Sequence, residues 1–151
     1  MRPIVLIRAA LLAAVVPVTV GLAGCGSPTV TSPRLEASLA PTFSNLYVEQ
    51  AGLLGHAGVT RASVGASAAC DKGGPKVADV GPGADWICMV HWRDETGAAQ
   101  DGKFELQARS NACWTAAGPS KLIGLLTITD TRGRDVTNPV FEFDGCFDPG
   151  A

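Results

Sequence analysis

The chain opens with an apolar block and acquires the periodicities of a folded domain only later. Ala9 to Ala23 is built almost wholly of Ala, Leu and Val, with Pro17, Thr19 and Gly21 as interruptions. It is apolar all round, so it lacks the polar face of an amphipathic core helix. It is also shorter than the roughly 20 residues that a membrane-spanning helix needs, and Pro17 and Gly21 weaken a helix there. Residues 26–41 are rich in Ser, Thr, Pro and small residues. Their composition predicts a flexible tether that buries too little apolar surface to offset its ordering entropy.

Periodic structure is predicted from residue 43 onward. Phe43, Leu46, Tyr47, Gln50, Leu53 and Leu54 trace one helical face on which Gln50 is the single polar break. Thr42 stands where an N-cap would, and Gly55 or Gly58 can end the helix. Residues 59–70 are small and ambiguous and are read as a strand leading into Cys70. Trp86-Ile87-Cys88-Met89-Val90-His91-Trp92 is the clearest strand. Trp86, Cys88, Val90 and Trp92 share one face by the period of two. The other face carries Ile87, Met89 and His91, so the strand is expected to be central and covered on both sides. A polar loop is predicted over 93–102. Lys103 to Arg109 then alternates, with Phe104, Leu106 and Ala108 inward. Further strands are predicted at Cys113-Trp114-Thr115, at Leu122–Thr129 and at Val140–Asp144, with Asp130-Thr131-Arg132-Gly133 as a turn.

The first residues give the apolar block its meaning. Arg2 and Arg8 precede it, and no carboxylate appears before Glu36. A basic start, an apolar core and small residues at its end describe a secretory signal peptide. The run ends in Leu22-Ala23-Gly24-Cys25, which resembles the bacterial lipobox: an aliphatic residue, two small residues, then cysteine. That resemblance covers residues 1–25. It implies that a diacylglyceryl group is attached to the Cys25 thiol and that cleavage before Cys25 makes it the new N-terminus. Two acyl chains anchor stably where one does not. The expected location is the outer, extracytoplasmic face of the cell membrane, and the expected partners are the membrane itself and a cell-envelope protein or wall component.

Five cysteines are an odd number for an exported chain. Assigning Cys25 to lipid leaves Cys70, Cys88, Cys113 and Cys146, an even set in an oxidising compartment. Four cysteines allow three pairings. Cys70–Cys88 with Cys113–Cys146 is favoured, because the turn-rich stretch from Asp71 to Gly83 can fold back between the first two; the nested and crossed pairings stay open. No two cysteines lie two to four apart, and His56 and His91 have no metal-ligand spacing to them, so no metal or other cofactor is expected. The net charge is −2, and it falls to −4 once Arg2 and Arg8 leave with the signal. That balance argues against a nucleic-acid partner.

Candidate chemistry is sparse. His91 sits mid-strand, and His56 lies at a helix end where it can meet the last carbonyls. Asp94 and Glu95 are adjacent in the polar loop with Asp101 nearby, and Asp144 and Asp148 flank Cys146; loop acids are ordinarily solvated. The glycine-rich Lys72-Gly73-Gly74 and Gly81-Pro82-Gly83 lack phosphate-loop spacing. Trp86 and Trp92 are expected to pack against a disulfide. Trp114 should face the other way and, if exposed, would mark a binding patch.

Trp86-Ile87-Cys88, Cys113-Trp114-Thr115-Ala116 and Phe143-Asp144-Gly145-Cys146-Phe147 are loosely similar to segments of small four-cysteine lipoproteins and secreted proteins of actinobacteria. This similarity implies no particular activity. The expected organisation is a signal peptide over 1–24, a lipidated cysteine and tether over 25–41, and one extracytoplasmic domain over 42–151. The expected fold is α+β, with one N-terminal helix packed on an antiparallel sheet of four to six strands stapled by disulfides; the alternative is an all-β sandwich. The expected function is non-catalytic binding or structure at the membrane. The alternatives are a cell-envelope hydrolase, or an inhibitor or accessory subunit that presents loop 93–102 to an envelope enzyme.

Overall fold

The computed structural model describes residues 29–147. Residues 1–24, expected to be a signal peptide, together with Cys25 and Asp148, lie outside the described residues. The fold is α+β: a long helix packs on one face of a five-stranded antiparallel sheet, and a two-stranded ribbon and two short helices complete it. No helix among the described residues is long and apolar enough to cross a membrane.

The helix α1 spans Ser32–Leu53, so its first half occupies residues assigned above to a tether. The physical reason is a ladder of large apolar residues at every fourth position. Leu35, Leu39, Phe43 and Tyr47 are all buried, and the small Ala51 continues the same stripe. Leu35 and Leu39 were hidden by their Ser- and Pro-rich surroundings. Thr42 was expected to cap the helix, yet α1 runs through both Pro41 and Thr42. The Pro41 ring removes one helical hydrogen bond. At the next residue, the Thr42 hydroxyl donates to Ser38 O at 2.8 Å. The burial of both flanking turns holds the helix across that defect.

A four-residue helix, α2 (Arg61–Val64), follows, capped by reciprocal Thr60 and Ser63 bonds. Strands β1 (Ser67–Lys72), β2 (Gly83–Arg93), β3 (Ala99–Ala108) and β4 (Cys113–Ala117) then form successive antiparallel neighbours. A helical turn, α3 (Ser120–Ile123), and the ribbon of β5 (Thr127–Thr129) and β6 (Asp135–Thr137) replace the single strand expected over Leu122–Thr129. The last strand, β7 (Glu142–Cys146), returns to pair with β4, giving the order β1-β2-β3-β4-β7. The expected loop 93–102 shrinks to 94–98, because β3 begins at Ala99.

β2 is interior in the sheet, and Trp86, Cys88, Val90 and Trp92 all face the core. Its other face is not covered as expected: Ile87 and Met89 are half-buried and His91 is exposed. α1 layers only one side of the sheet. Phe43 centres the core, with its ring 5.0 Å from Trp92, 5.5 Å from Phe104 and 6.3 Å from Phe143.

The disulfides join Cys70 to Cys88 and Cys113 to Cys146, the favoured pairing. Each links residues directly opposite one another on neighbouring strands, with Cα atoms 4.0 and 3.9 Å apart. α1 also covers the outer edge of β1. Ser32 Oγ donates to Cys70 O at 2.7 Å, and Cys70 N donates to Glu36 Oε1 at 2.8 Å. The outward backbone groups of Cys70 on this edge strand are thereby satisfied, which interrupts a template for unwanted pairing.

Candidate functional site

The polar break on the α1 face is a structural hub. Gln50 is buried, and its Nε2 donates to Ile123 O at 2.6 Å and to Asn138 Oδ1 at 2.9 Å. Asn138, fully buried, donates from Nδ2 to Ile123 O at 2.8 Å and Leu125 O at 3.0 Å, and accepts from Val140 N at 3.2 Å. Two amide side chains thus satisfy the Ile123 and Leu125 carbonyls just past the helical bonds of residues 119–124. They hold that segment against the C-terminal end of α1.

A small cleft of about 160 Å³ opens where that segment meets the helix end and the β2–β3 hairpin. Tyr47, Gln50, Leu54, His56, Glu95 and Leu122 are among its lining residues. Two exposed leucines line it, Leu54 at 39% and Leu122 at 43%, and the segment that carries Leu122 goes on to Leu125 and Leu126, 70% and 52% exposed. Exposed leucines at the mouth of a cleft are the kind of feature that marks a contact surface. The cleft is below the usual size of small-molecule pockets, about 300–1,000 Å³. It suits a single protruding side chain.

The polar wall of the cleft is a defined pair. Tyr47 Oη donates to Glu95 Oε2 at 2.9 Å. Burial, reinforced by the neighbouring Glu95 carboxylate, pushes the Tyr47 phenol up to about 12. The phenol therefore stays protonated and keeps donating through the physiological range. Asp94, next to Glu95, has a different task. Its carboxylate accepts from Thr96 Oγ1 and from the Thr96, Ala98 and Gln100 nitrogens, which closes the 94–98 turn. These bonds, that from the Thr96 hydroxyl first, hold its carboxyl below the usual range. The adjacent acids of the polar loop are thus divided between building the loop and lining the cleft.

A second constellation crosses the open face of the sheet. Ser67 on β1 pairs with His91 on β2, and His91 pairs with Asp101 on β3. Residues directly opposite in a sheet share a face, so the three form one row. His91 Nδ1 bonds Asp101 Oδ1, and both side chains are at least half exposed. A hydroxyl, an imidazole and a carboxylate in line are the parts of an activated nucleophile. The row lies on an open sheet surface, and no Ser67 to His91 hydrogen bond forms.

Trp114 does not mark a patch. It is 1% exposed, its ring stands 5.9 Å from Phe143, and its Nε1 donates to Ser38 Oγ at 3.0 Å. β4 turns that residue toward α1, where the first half of the helix covers it. His56 lines the leucine-bordered cleft. Trp86 and Trp92 face the core with Cys88, as expected. Among the described residues, the buried Trp92 Nε1 has no hydrogen-bond partner, and no three His, Cys, Asp or Glu side chains are placed to hold a metal ion. A wider groove of about 310 Å³ is lined by Arg34, Pro41 and Phe147 among others. Sequence reasoning missed the cleft. Its signals were the lone Gln50 on an apolar face and the exposed leucines inside a run taken for a strand.

No family model, curated protein or solved structure matches the chain.

Proposed function

We propose that this chain is an exported, lipid-anchored protein whose small non-catalytic domain holds a partner protein of the cell envelope. The observation that carries the reading is the leucine-bordered cleft at the C-terminal end of α1. An apolar rim around a hydrogen-bonded polar wall, with room for one inserted side chain, is the anatomy of a protein contact. The lipobox Leu22-Ala23-Gly24-Cys25 supports the anchor, and two disulfides suit an oxidising compartment. The polar hairpin 94–98 contributes Glu95 to the cleft wall, so an accessory or inhibitory role would act through this same surface.

A photo-crosslinking residue placed at Leu125 in living cells tests the reading, with Lys103 on the open sheet face as the control. Leu125 should capture a discrete partner and Lys103 should not. Equal capture from both positions would remove the assignment. Cys25→Ser should release the protein from the membrane fraction; retention there would count against lipidation. The row Ser67, His91 and Asp101 favours a second reading, a hydrolase of wall components. Hydrolysis of such components that disappears in Ser67→Ala would replace the first reading with it.

A further inference from the structure

We infer that the loop of residues 73–82 is a second membrane contact, which seats the domain against the outer leaflet with the N-terminal end of α1 down. The inference rests on the proposed lipid anchor at Cys25. Five Cα steps separate Cys25 from Val30, and at about 3.3–3.6 Å each they reach at most about 18 Å. Val30 already belongs to the domain: it is 2% exposed, and its carbonyl accepts from Gly81 N at 2.9 Å. The bilayer and the start of the fold are therefore held close together.

The loop stands at that starting point. Thr31 bridges to Val80, and Ser32 N donates to Asp79 O at 3.3 Å. Side chains at the end of β1 and Asp79 serve the loop's backbone and that of Lys72. Lys72 Nζ donates to Val80 O at 3.2 Å and Pro82 O at 2.8 Å, and Lys72 N donates to Asp79 Oδ1 at 2.7 Å. Asp71 Oδ1 accepts from Gly74 N at 3.0 Å. The loop's apolar side chains turn outward instead: Val77 is 46% exposed and Val80 51%. A loop facing only water gains nothing from that arrangement. Against a membrane it places apolar side chains at the headgroup boundary, where their burial is favourable. The exposed Lys76 beside Val77 can meet lipid phosphates.

α1 has 22 residues and is about 33 Å long. Seated this way, the domain holds the leucine-bordered cleft at up to that distance from the membrane, at the opposite end of α1.

The test uses the mature lipidated protein reconstituted into phosphatidylethanolamine–phosphatidylglycerol vesicles whose acyl chains carry bromine near the headgroup. Trp is introduced at Val77, and separately at Val80 and at Leu125. The three native tryptophans are buried and supply a constant background. Val77→Trp and Val80→Trp should each lose roughly half of the added emission, because an interfacial side chain sits about 5–10 Å into the headgroup boundary. Leu125→Trp should lose almost none. If mass spectrometry finds the diacylglyceryl group and the loop positions are quenched no more than Leu125→Trp, the loop contact is wrong and the anchor stands. If it finds no lipid on Cys25, both fall.

Discussion

Replacing Asn138 with alanine should destabilise the domain by about 4–6 kcal/mol, far more than its size suggests. The estimate follows from what the side chain touches. Asn138 gives two hydrogen bonds, to Ile123 O and Leu125 O, and accepts two, from Gln50 Nε2 and Val140 N. Ile123 O keeps the Gln50 bond after the substitution. Val140 N does not fare as well. Val140 is fully buried, and an amide stranded there costs about 1–3 kcal/mol. The other lost bonds each contribute about 1 kcal/mol net. The sum is a large share of the 5–15 kcal/mol that holds a typical domain together. Urea unfolding of oxidised protein gives the number directly. Gln50→Ala and the double variant complete a cycle, and the shared Gln50 to Asn138 bond should give a coupling of about 1–2 kcal/mol. Amide exchange should also accelerate across 123–126, since those carbonyls lose their tie to the core. A loss under about 1 kcal/mol, or singles that simply add, would mean the hub does not hold the cleft wall.

Three further outcomes follow from the same contacts. Leu39→Ala removes a fully buried rung of α1 and should cost about 2–5 kcal/mol in thermal or urea melts; unchanged stability would return residues 32–41 to the role of a tether. Tyr47 is held protonated by burial and by Glu95, with its pKa raised from 10.0 to about 12. Its raised affinity for the proton therefore stabilises the fold fully below pH 10 and is lost as pH climbs toward 12. The stability difference between the native protein and Tyr47→Phe should shrink across that window, and a constant difference would refute the linkage. Replacing both cysteines of one bridge by alanine should cost about 3.2 kcal/mol for Cys70–Cys88 and about 3.7 for Cys113–Cys146, from their separations of 18 and 33 residues in the loop-closure estimate. Losses near zero in calorimetry would show that the strands hold without their staples.

What was legible in the sequence was what burial writes as a repeat. The alternation through Trp86 and Trp92 and through Phe104 and Ala108 marked β2 and β3, and both inward faces are as read. The disulfide pairing followed from a turn-rich connection, and the sheet supports it by placing each pair opposite. The first half of α1 was not legible, because two leucines among Ser, Pro and Ala make a weak periodic signal. Only Trp114 and Cys70, far along the chain, show what that half covers. Trp114 itself was misjudged for the same reason: its burial depends on a helix that composition had assigned to a tether. The cleft required a tertiary fact, that Asn138 reaches Gln50 across 88 residues. No local pattern encodes that meeting.

The two ends of the domain are held by different chemistry. Cys70 is bonded to Ser32 and Glu36, and Cys146 O accepts from Ser38 Oγ, so both covalent staples lie against the first half of α1. The last turns of the helix are tied instead by amide side chains, the Tyr47 to Glu95 bond and one backbone bond from Thr131 N to Leu53 O. Local opening should therefore be least at the stapled end and greatest around segment 120–126, since opening free energy tracks the contacts a segment must break. A surface that grips a partner needs some freedom to adjust, whereas an anchor point does not. The proposed binding cleft falls at the hydrogen-bonded end and the proposed membrane contact near the stapled one, an arrangement in which stiffness and adaptability sit where each is useful.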